Sequence, residues 1–228
     1  MKEFFLSCGL ALNDGEISDL NRFGEILREY NKVMNLTTIT GEVDMWIKHF
    51  LDSCLGSFAF NKGSSCCDVG AGGGFPSIPL LIIRKDLKFT LIESTGKKCE
   101  YLKHVIKELG LNAEVLCARA EDLGKDVKFR EKFDCATARA VASLNVLSEY
   151  CLPLVKVGGS FIAYKGETPK EISDAENAIG VLGGKIEEVR KFTLPEGAGE
   201  RNIITVKKIK QTPPEYPRGN GKERKYPL

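Results

Sequence analysis

The feature that most constrains the fold is a glycine-rich turn between two apolar segments. The apolar run 64–69 carries Asp68 near its end, and the segment Ile78–Ile83 follows the turn. The glycines between them are Gly70, Gly72, Gly73 and Gly74. Because glycine has no Cβ, a ligand can lie directly against such a turn, where the first N–H groups of the next helix face it. The pattern predicts a buried strand, a ligand-binding turn and a helix.

Carboxylates follow the next two predicted strands. Glu93 ends the apolar run Phe89–Ile92, about 20 residues beyond the glycines, where related folds hold ribose hydroxyls. Glu121 or Asp122 follows the third strand and can accept a hydrogen bond from an exocyclic amine such as that of adenine. Helix capping is the alternative role for these two acids. Carboxylates after three successive strands favour a nucleoside-containing cofactor.

The turn itself narrows the choice of cofactor. The dinucleotide fingerprint requires a third glycine where Phe75 stands, and no phosphate-binding loop is present around Gly96-Lys97. The Asp-Val-Gly-x-Gly-x-Gly form resembles motif one of the S-adenosylmethionine-dependent methyltransferases. Asp68 suits the cationic methionine end of that cofactor better than a pyrophosphate, which it would repel.

Hydrophobic patterning after residue 63 alternates between strand and helix. Predicted strands cover 64–69, 89–93, 113–117, 132–137, 159–165, 185–192 and 203–207, and predicted helices cover 75–84, 97–109, 143–155 and 169–182. Repeated βαβ units predict a doubly wound α/β fold with helices on both faces of a mostly parallel, seven-stranded sheet. The last two strands have a short connection and can form an antiparallel edge.

The region before this pattern is predicted to be helical. Leu20–Met34 carries an apolar stripe at three-four spacing, and a second amphipathic helix is predicted from Asp44 to Phe58. His49 and Asp52 are three residues apart and share a face of that helix. They form either a surface ion pair, which the spacing alone favours, or a polar edge that faces a ligand cleft. We divide the chain into a helical extension (1–60), a cofactor-binding domain (61–210) and a basic tail (211–228).

Charge is concentrated near the C-terminus, although the net charge of the chain is only +2. The basic residues after Thr205 are Lys207, Lys208, Lys210, Arg218, Lys222, Arg224 and Lys225. Prolines and glycines among them make the tail poorly suited to a packed core. It can neutralise phosphates of a nucleic acid, or it can be a solvated and partly disordered segment, and composition does not separate these alternatives.

Cysteine spacing and hydropathy predict an ordinary cytoplasmic protein. The chain has eight scattered cysteines without a Cys-x-x-Cys pair, and only two histidines that could complete a metal site. We therefore predict reduced, mostly buried thiols and no metal. No apolar run approaches the roughly 20 residues of a membrane span, and the N-terminus lacks a signal-peptide core.

Three cationic side chains are predicted at the mouth of the cleft. Arg139 follows the fourth strand, Lys165 ends the fifth, and Arg201 precedes the last strand. An arginine between small residues at a strand end is costly to bury without a partner, so it faces either the cleft or a nearby acid. Single cations at strand ends are usually surface charges, but a converging set would suit an anionic substrate.

Short motifs recur along nearly the whole chain in an order typical of one family. They are Asn35-Leu36-Thr37, His49-x-x-Asp52-Ser53, Asp68-Val69-Gly70-x-Gly72-x-Gly74-Phe75-Pro76, Glu93-Ser94-x-Gly96-Lys97-Lys98, Arg139-Ala140-x-Ala142-Ser143-Leu144, Lys165-Gly166 and Gly199-Glu200-Arg201. On these motifs the sequence resembles the glucose-inhibited division protein B (GidB) family, bacterial methyltransferases that act on 16S ribosomal RNA. Gly73 and Glu93 replace a proline and an aspartate that some members carry, and both substitutes keep the expected role.

The resemblance implies a Rossmann-like enzyme that uses S-adenosylmethionine to methylate N7 of one guanine in the decoding-region loop of 16S ribosomal RNA. Its partner would be that RNA or the small ribosomal subunit. The residues carried over to the cofactor site are Gly70, Phe75, Ala120, Glu121 and Arg139, and Asp68, Gly72 and Glu93 join them from the patterns above. Asn35, His49 and Asp52 are candidates to face the RNA.

The predicted reaction needs no general base, because guanine N7 has a free lone pair and no proton to lose. Catalysis is then mostly positioning. We expect Arg139, with Lys165 or Arg201, to orient the base, since arginine and lysine can donate to guanine O6 beside N7. Other interpretations are a methyltransferase with a different substrate, an RNA-binding module regulated by a nucleotide and, more distantly, a nicotinamide-dependent dehydrogenase.

Overall fold

A single sheet organises the protein, whose computed structural model describes residues 1–166 and 169–228. The sheet is seven-stranded, in the order β3-β2-β1-β4-β5-β7-β6. Its strands are β1 (Ser65–Val69), β2 (Lys88–Glu93), β3 (Ala113–Cys117), β4 (Phe133–Arg139), β5 (Val155–Lys165), β6 (Gly184–Thr193) and β7 (Glu200–Lys208). Strands β1 to β5 pair in parallel, whereas β7 pairs antiparallel with β5 and β6. The predicted doubly wound, mostly parallel sheet with an antiparallel edge is confirmed.

Helices precede, connect and follow the strands. They are α1 (Lys2–Ser7), α2 (Asp14–Met34), α3 (Glu42–Met45), a π-helix (Trp46–Leu51), α4 (Asp52–Leu55), a 3₁₀ turn (Gly56–Ala59), α5 (Ser77–Ile83), α6 (Gly96–Leu109), α7 (Ala120–Leu123), α8 (Leu144–Cys151), a second 3₁₀ turn (Leu152–Leu154), α9 (Pro169–Val181) and α10 (Lys222–Lys225). Because α5 begins at Ser77, the glycine turn is longer than the predicted helix start at residue 75 implies. Strand β5 begins at Val155, the residue at which the sequence pattern predicts the end of a helix.

Two apolar cores cover the two faces of the sheet. Alternate strand residues go to opposite faces, so Cys66 packs into one core and Cys67 into the other. The first core also holds side chains of α5, α6 and the N-terminal helices, among them Phe23 and Trp46. The second holds side chains of α8 and α9. The N-terminal helices are thus packed into the same core as one sheet face.

The helical segment 42–59 differs from its prediction. We predicted one amphipathic helix from Asp44 to Phe58, but the segment passes from α3 through the π-helix and α4 to a 3₁₀ turn. A π-helix contains one extra residue per turn and occurs frequently at functional sites. His49 lies in the π-helix and Asp52 directly follows it, and both are buried. The predicted surface ion pair is therefore wrong.

The basic tail packs against the domain, contrary to our expectation from its composition. The Arg130 guanidinium donates to the carbonyl groups of Thr212, Pro213 and Tyr216 at 2.7–3.1 Å. Arg218 forms a bidentate ion pair with Glu149, whose side chain is only 1% exposed. These contacts make the tail a structural part of the protein.

Arg218→Ala is expected to lower the free energy of unfolding by about 3 kcal/mol, because it leaves the Glu149 carboxylate buried without its ionic partner. Urea denaturation measures this change. Lys222→Ala, which removes an exposed cation of the same tail, is the matched control and should change stability by less than about 0.5 kcal/mol. Equal stability of the two variants would contradict a structural role for the Arg218–Glu149 pair.

The described part of the chain has free cysteines, no cluster of metal ligands and no membrane-spanning helix. All eight cysteines are free thiols, and Cys8 and Cys117 are the two that are not buried. Residues 1–166 and 169–228 contain no group of three or more His, Cys, Asp or Glu side chains that could hold a metal ion. No helix in this described part of the chain combines the length and the apolar character needed to cross a bilayer.

Candidate active site

A cleft with two lobes opens at the carboxyl ends of β1, β2 and β4. Ligands bind at this point in open α/β sheets, because the strand order reverses between β1 and β4. The smaller lobe has a volume of about 180 Å³ and the larger about 810 Å³. Both are lined by Gly70, Glu93, Ser94 and Val141. The two lobes therefore adjoin each other at the glycine turn.

Glycine is required at position 70 by both conformation and space. Gly70 has φ +73°, and a Cβ there would lie 2.7 Å from Cγ2 of Val141. The N–H groups of Gly70 and Ala71 donate to the carbonyl of Ile92 at 2.8 and 3.1 Å, which ties the turn to β2. The bare backbone therefore forms the wall between the two lobes. Gly72 and Phe75, the other turn residues predicted for the site, line the larger lobe.

Glu93 lies where the two lobes meet, at the position that the sequence indicated. One carboxylate oxygen accepts from the Gly72 N–H at 3.1 Å and the other from the Thr95 N–H at 2.8 Å. A carboxylate has about four acceptor positions, so Glu93 can still accept hydrogen bonds from a ligand. On the other side of the smaller lobe, Ala120 and Glu121 contribute to its lining, as predicted.

Asp68 lies behind the wall of the cleft. It is completely buried, and neither carboxylate oxygen has a hydrogen-bond partner among the described residues. Burial raises the pKa of Asp68 to about 7, and the nearby Ser77 and the charge of Arg139 offset only part of this cost. Neither lobe is lined by Asp68. Its expected influence on a cationic ligand would act through the field of its charge.

Arg139 connects β4 to the π-helix. Its guanidinium donates to the carbonyl of Lys48 at 2.6 Å, to the carbonyl of His49 at 3.3 Å and to the hydroxyl of Ser53 at 3.1 Å. It also forms an ion pair with Asp52 at 3.3 Å. Arg139 lines the larger lobe, but its side chain is only 13% exposed. The arginine therefore has acidic and backbone partners and also faces the cleft.

His49 is neutral and uses both ring nitrogens. Arginine can only donate, so His49 Nδ1 accepts from Arg139 at 3.0 Å, and Nε2 carries the proton and donates to the Thr37 hydroxyl at 2.7 Å. Burial and the charge of Arg139 lower the pKa of His49 to about 3. The ring stacks on Phe75 with centroids 4.2 Å apart. His49 thus supports the wall of the larger lobe.

The three predicted cations do converge, but acids accompany them. Asp52 lies between two arginines, at 3.3 Å from both Arg139 and Arg201. Lys165 pairs with Glu171 and donates to the carbonyl of Ala142. Arg139, Lys165 and Arg201 together line a cavity of about 240 Å³, which also shares Ala140 with the larger lobe. The excess positive charge at this cavity is smaller than the sequence suggested.

The residues that line the two lobes include one further predicted residue and several that the sequence analysis did not identify. Asn35 was predicted and lines the larger lobe in a left-handed conformation at the end of α2. Thr37 belongs to the same Asn-Leu-Thr motif, so that motif could have indicated it. Tyr150 and the tail residues Glu223 and Arg224 line the smaller lobe. No local sequence pattern indicates them, because Tyr150 lies on α8 and the two tail residues reach the lobe only through packing of the tail.

The pH dependence of stability should reveal the neutral His49. Its pKa is lower in the folded than in the unfolded chain, so its contribution is lost as pH falls from about 6.5 towards 3. Asp68, with a raised pKa, acts in the opposite direction. Because the two contributions oppose each other in the wild type, the contribution of His49 is isolated by comparing the wild type with a variant that lacks this side chain. The stability of the wild type relative to His49→Gln should rise by on the order of 1–2 kcal/mol from pH 5 to pH 7 in urea denaturation. His104→Gln serves as the control, and an equal slope for both variants would contradict a neutral His49.

The family of the protein follows from comparison with known sequences. Residues 16–204 match the GidB family, described as rRNA small subunit methyltransferase G. The chain belongs to this family. It is 47% identical to the ribosomal RNA small subunit methyltransferase G of Lactobacillus acidophilus, with 100% of this chain and 98% of the relative covered. It is 48% identical to the protein of the same name from Brevibacillus brevis, with 99% and 97% covered.

Solved structures agree on the fold of this GidB family member. TYW2 of M. jannaschii, in complex with AdoMet, superposes with a TM-score of 0.57 at 17% identity, covering 76% of this chain and 80% of that one. A putative methyltransferase of Bacillus halodurans gives a TM-score of 0.55 at 15% identity, covering 70% and 99%. At these identities the likeness establishes the methyltransferase fold.

Proposed function

We propose that this protein transfers a methyl group from S-adenosylmethionine to N7 of one guanine in the decoding-region loop of 16S ribosomal RNA. Family membership supports a methyltransferase that acts on small-subunit ribosomal RNA and uses S-adenosylmethionine. The choice of atom and loop goes beyond the family description, and it rests on the chemistry of the cleft together with the motif resemblance described above.

The proposed orientation of the cofactor follows from the groups that line the two lobes. In this proposal its adenosine occupies the smaller lobe, where Glu93 accepts from the ribose hydroxyls and Glu121 lies beside the base. The methionine end follows the backbone of Gly70–Gly72 into the larger lobe. When bound, S-adenosylmethionine supplies an electrophilic methyl group on a positively charged sulfur. The residues of the chain orient it and hold the target base in line with it.

The observation that supports the choice of N7 is the set of contacts that the side chains of His49 and Asp52, near the larger lobe, already make. His49 uses both nitrogens in hydrogen bonds, and Asp52 is held between two arginines. His49 thus has no free ring nitrogen to remove a proton from the base, and Asp52 lines the neighbouring cavity and not the larger lobe. Guanine N7 needs no such base, and a donor such as Arg139 can bind the neighbouring O6. The site therefore favours an acceptor atom that has a lone pair and carries no proton.

The proposal is tested with radiolabelled S-adenosylmethionine and small ribosomal subunits that lack the modification. After the reaction, the RNA is cleaved chemically at N7-methylguanine and the break is mapped. One break in the decoding-region loop is the expected result. Label at another atom or base would overturn the proposed specificity while keeping the methyltransferase activity. Absence of label on subunits and on naked 16S RNA would overturn the proposed substrate.

A further inference from the structure

The smaller lobe of the cleft has a wall that is contributed by the C-terminal tail. Gly221, Glu223 and Arg224 line it together with residues that follow β1, β2 and β3. Glu223 is only 1% exposed. One of its carboxylate oxygens, Oε2, has no hydrogen-bond partner among the residues that the structure describes. A buried, unpaired acceptor is unfavourable, and one that lies at a cavity calls for a ligand that donates to it.

The position of Glu223 is fixed by its neighbours. Tyr150 accepts from Nε of Arg224 at 3.2 Å, and arginine can only donate. The single proton of the Tyr150 hydroxyl is therefore donated to Oε1 of Glu223, at 3.0 Å. Upstream, the Arg218–Glu149 ion pair holds the tail on α8. These contacts orient the carboxylate and leave Oε2 as the free acceptor.

We propose that Glu223 recognises the exocyclic amine of the cofactor's adenine, so that the C-terminal tail forms part of the cofactor site. This inference rests on the proposed function, which puts adenosine in the smaller lobe. The amine of adenine carries two protons and a carboxylate is only an acceptor, so the two are complementary. Glu121 lines the same lobe and offers a second acceptor.

The set of acidic groups explains why adenosine suits this lobe. Glu93, Glu121 and Glu223 all line it, and ionised carboxylates only accept hydrogen bonds. Adenosine presents donors at its ribose hydroxyls and at its amine. A base with a carbonyl in place of the amine would bring an acceptor against the acceptor Oε2 of Glu223. The lobe should therefore bind adenine strongly and reject hypoxanthine, because its buried acceptor would stay unpaired.

The test is calorimetric binding of S-adenosylhomocysteine and S-inosylhomocysteine; the second ligand has a carbonyl in place of the amine and a proton on the neighbouring ring nitrogen N1. The wild type should prefer the adenine ligand by at least about tenfold. Glu223→Gln keeps the shape of the side chain and replaces one acceptor by a donor, so this preference should fall about tenfold. Glu223→Met removes the acceptor and should also lose the preference, which keeps the test valid if one variant fails to fold. Glu215→Gln, an exposed glutamate of the same tail, is the matched control.

The ratio of the two affinities separates recognition from structural support. If Glu223 only held the tail in place, its variants would weaken both ligands equally and keep the preference, and that result would overturn the inference. An unchanged preference with unchanged affinities would overturn it as well, while methylation of ribosomal subunits by the wild type would leave the proposed function standing. Failure of the wild type to bind S-adenosylhomocysteine would instead overturn the proposed cofactor site.

Discussion

Arg139→Ala is expected to lower methyl transfer to small ribosomal subunits by at least about 100-fold. The guanidinium holds the π-helix through the carbonyls of Lys48 and His49 and faces the larger lobe. Its loss also leaves Asp52 buried with Arg201 as its remaining ionic partner. We therefore expect a decrease of about 3 kcal/mol in the free energy of unfolding.

Two further variants separate the loss of activity from the loss of stability. Arg139→Lys keeps the charge but cannot reproduce a planar fork of donors, so it should recover stability more than activity. Arg190→Ala removes an exposed arginine of β6 and should leave both properties near wild type. Activity is measured at a temperature where each variant is folded. Near-normal methyl transfer by folded Arg139→Ala would exclude Arg139 from substrate orientation.

Gly70→Ala is expected to weaken S-adenosylmethionine binding by roughly 30-fold or more. Alanine at position 70 would have to adopt a left-handed backbone conformation, which costs about 1–2 kcal/mol. Its methyl group would also lie only 2.7 Å from Cγ2 of Val141. The turn can relieve this contact only by moving the backbone that separates the two lobes. Isothermal titration calorimetry of each folded variant gives the change in affinity directly.

Gly63→Ala is a closely matched control for this prediction. Gly63 has the same φ of +73°, but no heavy atom lies within 4 Å of a Cβ built there. Both variants should therefore lose similar stability from backbone conformation, and Gly70→Ala should additionally lose affinity. If the two variants bind the cofactor equally well, close contact between ligand and turn at Gly70 is not part of cofactor binding.

Sequence patterns were most informative where they report on the periodicity of a regular element. The parallel strands, the glycine turn and the position of Glu93 all follow from apolar runs and from the residues that end them. The same patterns did not reveal the π-helix, because periodicity shows which residues are apolar and cannot show one extra residue in a turn. His49 and Asp52 lie in and directly after this π-helix, and both are buried.

Long-range packing accounts for the other differences between expectation and structure. Lysines, prolines and glycines in the tail suggested a segment outside the packed core, either solvated or bound to phosphates, since nothing nearby in sequence indicates that Glu149 lies buried beneath Arg218. Asp68 was expected beside the ligand, but burial depth depends on how the turn folds over β1. The contact of the tail is set by residues distant in the chain, and the depth of Asp68 is set by the fold of the turn, so apolar periodicity contains no information about either.

The order of the strands has a consequence for synthesis of the chain on the ribosome. Strand β7 lies between β5 and β6, so the strand that is made earlier depends for its place in the sheet on the strand that is made later. While β7 is still being translated, β6 has no partner in the sheet. Strand β6 can therefore enter the sheet only once β7 has been made, and the tail that carries Glu223 is made after both strands. Vectorial synthesis thus makes the wall that the tail contributes to the smaller lobe one of the last parts of the enzyme to form.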